Sequence, residues 1–136
     1  MAAEATITTL LGNQGDPVEY TVAAGTAIPK GTLMILSSSP QTATASTGDG
    51  EFFCGIAATE KTATDGVTVM SCITHCIAEM TAGTGATTLG QMQKLSGANL
   101  VIDADDDTTA NMMENVGLSL ETVADAARGA VLVNVG

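Results

Sequence analysis

The chain has 136 residues and a formal charge of −11, with Lys30, Lys61, Lys94 and Arg128 as its only cations against fifteen carboxylates. That length suits one domain, while the charge leaves no raw material for a groove that neutralises phosphates and would repel an anionic membrane surface. Direct nucleic-acid binding and membrane association are thereby set aside, and no apolar run of about 18 residues or basic-then-apolar leader suggests a span or a signal peptide.

Apolar residues make up 45% of the sequence but aromatics only 2%, and Ala, Thr and Gly together fill 57 positions (21, 21 and 15). Each core position then buries less area than a Leu or Phe would, so assembly with further copies is one way for so thin a core to gain buried surface. Three cysteines, an odd number without a leader, suggest reduced, buried thiols rather than a disulfide framework.

In chain order, residues 1–20 form an N-terminal arm. The segment "ATITTLL" has β propensity and few charges, and Gly15 to Pro17 mark a turn. Ile7, Leu10, Leu11, Val18 and Tyr20 are its candidate contact residues. Such an arm either adds a strand to the sheet edge of another subunit or completes an edge of its own domain.

Residues 21–136 form a single β domain. Strands are predicted at Gly31 to Leu36, Phe52 to Ala57, Val67 to Ala78, Gln91 to Leu95, Asn99 to Asp103, Val116 to Leu120 and Ala130 to Val135. All are short and bounded by Gly, Pro, Asp, Asn and Ser clusters, which is the spacing of an all-β sandwich or small barrel. Ser119 to Arg128 has weak helical periodicity and is expected to be a structured loop or a single helical turn.

A weak internal duplication appears when glycines serve as anchors. "AGTAIPKGTLMIL" from Ala24 matches "AGTGATTLGQMQKL" from Ala82, and "GIAATEKTATDGVTVM" from Gly55 matches "GLSLETVADAARGAVLV" from Gly117. The matches pair Gly25 with Gly83, Gly31 with Gly90, Gly55 with Gly117 and Gly66 with Gly129, giving half-repeats of about 21–80 and 81–136.

"SCITHCIAEM" gathers two of the three cysteines and the single histidine. On a helix, Cys72, His75 and Cys76 would share a face. On a strand, the thiols of Cys72 and Cys76 stand roughly 13 Å apart with His75 on the other face, too far for a disulfide or a shared zinc ion. The glycine match sets Cys72 level with the apolar Val135, so the stretch is expected to be a strand and Cys72 a small core hydrophobe. No metal site is assigned.

"DADDDTTANMME" carries oxygen side chains at Asp103, Asp105, Asp107, Thr109, Asn111 and Glu114, the spacing of a calcium loop. Thr108, however, replaces the required glycine, and no amphipathic helices flank it. A solvated acidic excursion is the favoured reading. Nucleophile-elbow, phosphate-loop and dinucleotide templates are absent, so neither enzymatic activity nor a cofactor is expected.

The layout "AGTAIPKGTLMIL", "FFCGIAATEKTATDGVTVM", "AGTGATTLGQMQ" and "NVGLSLETVADAARGAVLVNV" resembles that of the capsid decoration, or cement, proteins of tailed viruses. The similarity lies in a glycine turn opening a strand, a G-[IVL]-A strand, a loop and a G-x-V-x-V strand, stated twice over about Val18 to Gly136. The "SCITHC" strand and the acidic loop depart from that pattern. The resemblance implies a virion protein made in the host cytoplasm and bound to the outside of an expanded icosahedral head as a homotrimer. Its partner would be the major capsid protein, whose subunits it bridges, with the arm residues above as contacts to capsid or neighbouring subunit. A tail or spike module and a calcium-binding extracellular β domain are the competing classes.

Overall fold

The computed structural model describes residues 4–10, 17–48, 51–83, 86–104 and 115–134. The protein is all-β, and among these residues there is no helix. The strands are β1 (Thr6–Leu10), β2 (Val18–Thr21), β3 (Leu33–Leu36), β4 (Ala43–Ala45), β5 (Phe53–Ala57), β6 (Val69–Ile73), β7 (His75–Ala82), β8 (Met92–Gly97), β9 (Leu100–Asp103), β10 (Asn115–Ser119) and β11 (Arg128–Asn134).

They form two sheets with one plan. The first has the order β2-β6-β5-β3-β4, and the second, apart from β1 at its edge, has the order β7-β11-β10-β8-β9. Substituting β7 for β2, β8 for β3, β9 for β4, β10 for β5 and β11 for β6 turns one into the other. A parallel pairing of Thr81 with Leu100 and Ala82 with Val101 closes the second sheet into a five-stranded barrel. The first sheet has a reduced counterpart, a single parallel bridge of Thr21 to Thr42, with the Thr21 amide donating to the Gln41 carbonyl at 3.0 Å.

The duplication extends to individual hydrogen bonds. Gly31 donates to Ala57 O and Gly90 to Ser119 O, and the reciprocal bridges Ile28–Lys61 and Thr87–Val123 recur at the same place. Both repeats carry the same irregularity, in which Cys54 and Val116 are each skipped between paired neighbours. A β-bulge of this kind increases local twist, as curling a short sheet into a small barrel requires. The residue after each is Gly55 and Gly117, where a Cβ would run into the Cβ of Cys72 and the backbone carbonyl of Leu132 respectively. The neighbouring strand approaches so closely that only glycine fits.

Two registers differ from the sequence expectation. Cys72 pairs with Ala57 and Val131 with Ser119, so Cys72 lies level with Val131 rather than Val135, which falls outside the described residues. Gly129 lies level with Met70, and the left-handed residue preceding the final strand is Ala126, at φ 65°, where the first repeat has Gly66 at φ 73°. Glycine anchors misalign here because an alanine has taken the left-handed turn position. The predicted strand Val67 to Ala78 is two strands: the chain leaves the first sheet at Thr74 and enters the second at His75. Inside-outside alternation continues through the break, so the sequence shows no seam.

Small side chains follow from narrow barrels, since interior width grows with strand number and five strands leave little room. The first interior holds Ile28, Met34, Ala43, Cys54, Met70 and Cys72, with Tyr20 packed against it. The second holds Ala78, Met80, Val101, Val116 and Val131, and this cluster continues into Leu33, Ile35, Phe53 and Ile56 from the opposite face of the first sheet. One apolar seam therefore joins the two units.

Candidate functional site

The N-terminal strand builds the most distinctive surface. β1 runs antiparallel along β7, with Thr6 opposite Glu79, Ile7 opposite Ala78 and Leu10 opposite Cys76, and its register slips between Ile7 and Thr9. β7 is long enough for its outer edge to be shared, with β1 along Cys76 to Glu79 and β9 at Thr81 and Ala82. The Ala5 amide donates to Gly31 O at 2.7 Å, tying the strand's entry to the first unit.

Arg128 locks the arrangement electrostatically. Its guanidinium donates to Glu4 O at 3.0 Å, Thr6 Oγ1 at 2.9 Å, Glu79 O at 3.1 Å and Thr81 Oγ1 at 3.0 Å, and it lies 3.9 Å from the Glu79 carboxylate. A planar guanidinium with several fixed donors suits a junction of three strands, which a lysine would satisfy less completely.

Between β1 and the first unit lies an open groove of about 500 Å³, lined by Ala5, Thr6, Ile7, Thr8, Lys30, Gly31, Ala58 and Ile73. Its walls are short and mostly apolar, with Lys30 at the rim. β1 stands at the end of its sheet, so its backbone edge away from β7 has no strand partner among the described residues. An open strand edge beside a shallow apolar groove can accept an extended segment by strand addition.

The residues expected as arm contacts are distributed differently. Ile7 packs against the joint core and lines the groove. The backbone of Leu10 pairs with Cys76, and Leu11 lies outside the described residues. Val18 and Tyr20, expected in the arm, belong to β2, which pairs with β6 inside the first unit. Val18 is exposed and faces Cys72 across the pair, whereas Tyr20 packs on the first interior, and burial raises its phenol pKa.

The cysteine and histidine stretch is divided between the units. Cys72 lies in the first interior with Cys54, Cys76 lies in the joint core, and His75 is half-buried opposite Asn134. A hydrogen bond between the Cys54 and Cys72 thiols, together with burial, raises Cys54, and burial pushes Cys76 up to about 11. At neutral pH both remain protonated, the unreactive form.

Of the acidic loop, Asp103 and Ala104 are described, and Asp105 to Glu114 lie outside the described residues. Asp103 Oδ1 accepts from the Thr88 amide at 2.9 Å and from Gln93 Nε2 at 2.8 Å. Burial opposes its ionisation, but these hydrogen bonds prevail and lower its pKa. The carboxylate therefore anchors the turn before β8 to the end of β9.

Two features escaped the sequence. Lys61 is buried, with its ammonium donating to Ala24 O at 2.9 Å, Thr26 O at 2.6 Å and Thr62 O at 3.3 Å. A lysine in "ATEKTATDG" gives no hint of burial. An apolar row on the outside of the second barrel, Met92, Leu118, Leu132 and Ile77, was also missed. Its signal was available in the unbroken apolar run "AVLV" from Ala130 to Val133, since a strand with one wet face alternates.

No family model and no curated protein matches the chain. A solved structure described as the head fiber gp8.5 N base of bacteriophage phi29 is similar, with a TM-score of 0.57 and 13% sequence identity over 87% of this chain and 94% of that one. At that identity the likeness is one of fold.

Proposed function

We propose that the protein is a structural, non-enzymatic part of a tailed-virus particle, which binds the outside of the expanded icosahedral head and stabilises it by bridging major capsid subunits. The observation that carries this reading is the shared fold, over most of both chains, with the base of a phage head fibre. A thin core divided over one small barrel and one curled sheet, an open strand edge at β1 and a charge of −11 support it. The first gains from assembly, the second offers a docking element, and the third keeps decorated particles apart. Binding a surface that only the expanded shell presents would favour expansion by mass action, with contacts on the order of 1,000 Å² or more.

Purified protein mixed with expanded and unexpanded shells tests the proposal. Cosedimentation with expanded shells alone, with a rise in their melting temperature, is expected. Equal binding to both, or to neither, sinks it. The fibre-base likeness also favours a second reading, an anchor for a projecting fibre. Such an anchor would sediment with heads yet leave the melting temperature of the shell unchanged.

A further inference from the structure

Because the repeats share one strand plan, each residue has a counterpart whose surroundings can be compared. On the outside of the first unit, Leu33 lies opposite Ile56 and Ile56 opposite Ile73, across β3, β5 and β6. Leu33 and Ile56 are fully buried, and the row belongs to the cluster that contains Leu95, Val116 and Val133 of the second unit. In the second unit the counterparts are Met92, Leu118 and Leu132, and the row continues to Ile77. There Leu118 is 41% exposed, and the other three side chains are partly exposed.

The second unit's side of that cluster has a counterpart as well. Leu95, opposite Val101 in β9, is buried in the joint cluster, whereas its equivalent Leu36, opposite Ala43 in β4, is 45% exposed. Beside it stands Phe52, 46% exposed, whose carbonyl accepts the Leu36 amide at 3.0 Å. The chain thus leaves open the counterparts of residues that share one buried cluster internally.

We infer that these counterparts meet between molecules: the Leu36 and Phe52 end of one copy seats on the Met92, Leu118, Leu132 and Ile77 face of the next. The occupant is a second copy because the same chain carries Leu36, the counterpart of the Leu95 that shares a cluster with the first row. All six residues are uncharged, so two chains that repel each other elsewhere can touch here. Lys94 and Asn115 stand where the first unit has Ile35 and Phe53, which centres the contact on Leu118. Different patches meet, so the interface is heterologous and either closes into a ring or extends as a filament. This inference rests on the self-association implied by the proposed assembly and is independent of which capsid surface is bound.

Sedimentation velocity of the full chain with Leu118→Gln and Leu36→Gln tests it. Both sites are exposed and neither change alters net charge, so melting temperatures should match at a dilution where every form is monomeric; Leu118→Thr replaces Leu118→Gln should that variant melt early there. The unsubstituted chain is expected to sediment as an oligomer, and each variant alone as monomer, with association weakened at least about tenfold. An equimolar mixture of the two variants is expected to give a one-to-one dimer and nothing larger, because each mixed pair retains one intact end and one intact face. A variant that associates like the original chain, or a mixture that stays monomeric, overturns this interface while leaving self-association standing. Monomers of the unsubstituted chain up to millimolar concentration overturn both.

Discussion

Lys61 shows how much a single side chain decides in a core this thin. Its ammonium donates to the carbonyls of Ala24, Thr26 and Thr62 and lies 4.0 Å from the Asp65 carboxylate, whereas the half-buried Val123 makes the equivalent bridge in the second unit. Lys61→Met is expected to cost on the order of 1–3 kcal/mol, because three backbone carbonyls lose their charged donor, and urea unfolding of the variant measures it. Gly117→Ala drives a methyl into the Leu132 carbonyl and is expected to destabilise by about 3 kcal/mol or more, read in the same way. Cys76 supplies a pH signature. Its thiol titrates at 9.0 ordinarily and at about 11 when folded. The folded state therefore retains the proton longer, and the stability this provides is complete below about pH 9 and lost as pH rises towards about 11. Cys76→Ala should remove part of the alkaline fall in melting temperature; an unchanged fall would show that Cys76 does not contribute.

Among the elements, β1 depends most on a single residue. It is joined to β7 by strand pairing and to the rest of the protein largely through Arg128 and the bond from Ala5 to Gly31. Arg128→Ala is expected to lower the hydrogen-exchange protection of β1 amides at least about tenfold while leaving β5 and β6 unchanged, since local opening follows local contacts. Equal loss everywhere would mean that β1 unfolds only with the whole domain. The pairing of this strand within its own chain was one of two arrangements open from sequence, because "ATITTLL" satisfies either sheet edge. In the structure it pairs within its own chain, Thr6 opposite Glu79 onward.

For the whole molecule, charge and apolar surface act in opposition. Fifteen carboxylates against four cations repel neighbouring copies, and the Leu118 face attracts them. Raising salt from 0.05 to 0.5 M shortens the Debye length from roughly 14 Å to about 4 Å. Self-association should therefore strengthen with salt, as sedimentation equilibrium would show, and weakening would assign the contact to ion pairs.

The sequence by itself determined the all-β class, the duplication and the small-residue core, because turn glycines, short β-branched runs and the absence of aromatics are local properties. It placed Cys72, Cys76 and His75 in strand rather than helix through the glycine match, although that match set Cys72 level with Val135 and the structure sets it level with Val131. The tertiary structure decided what depends on distant pairing. It broke one apparent strand at Thr74 between two sheets, gave Val18 and Tyr20 to the first unit, buried Lys61, and covered Leu33 while exposing its counterpart Met92. Equivalent residues of a repeat have similar local sequence, but only their packing determines which of them is left with an open face.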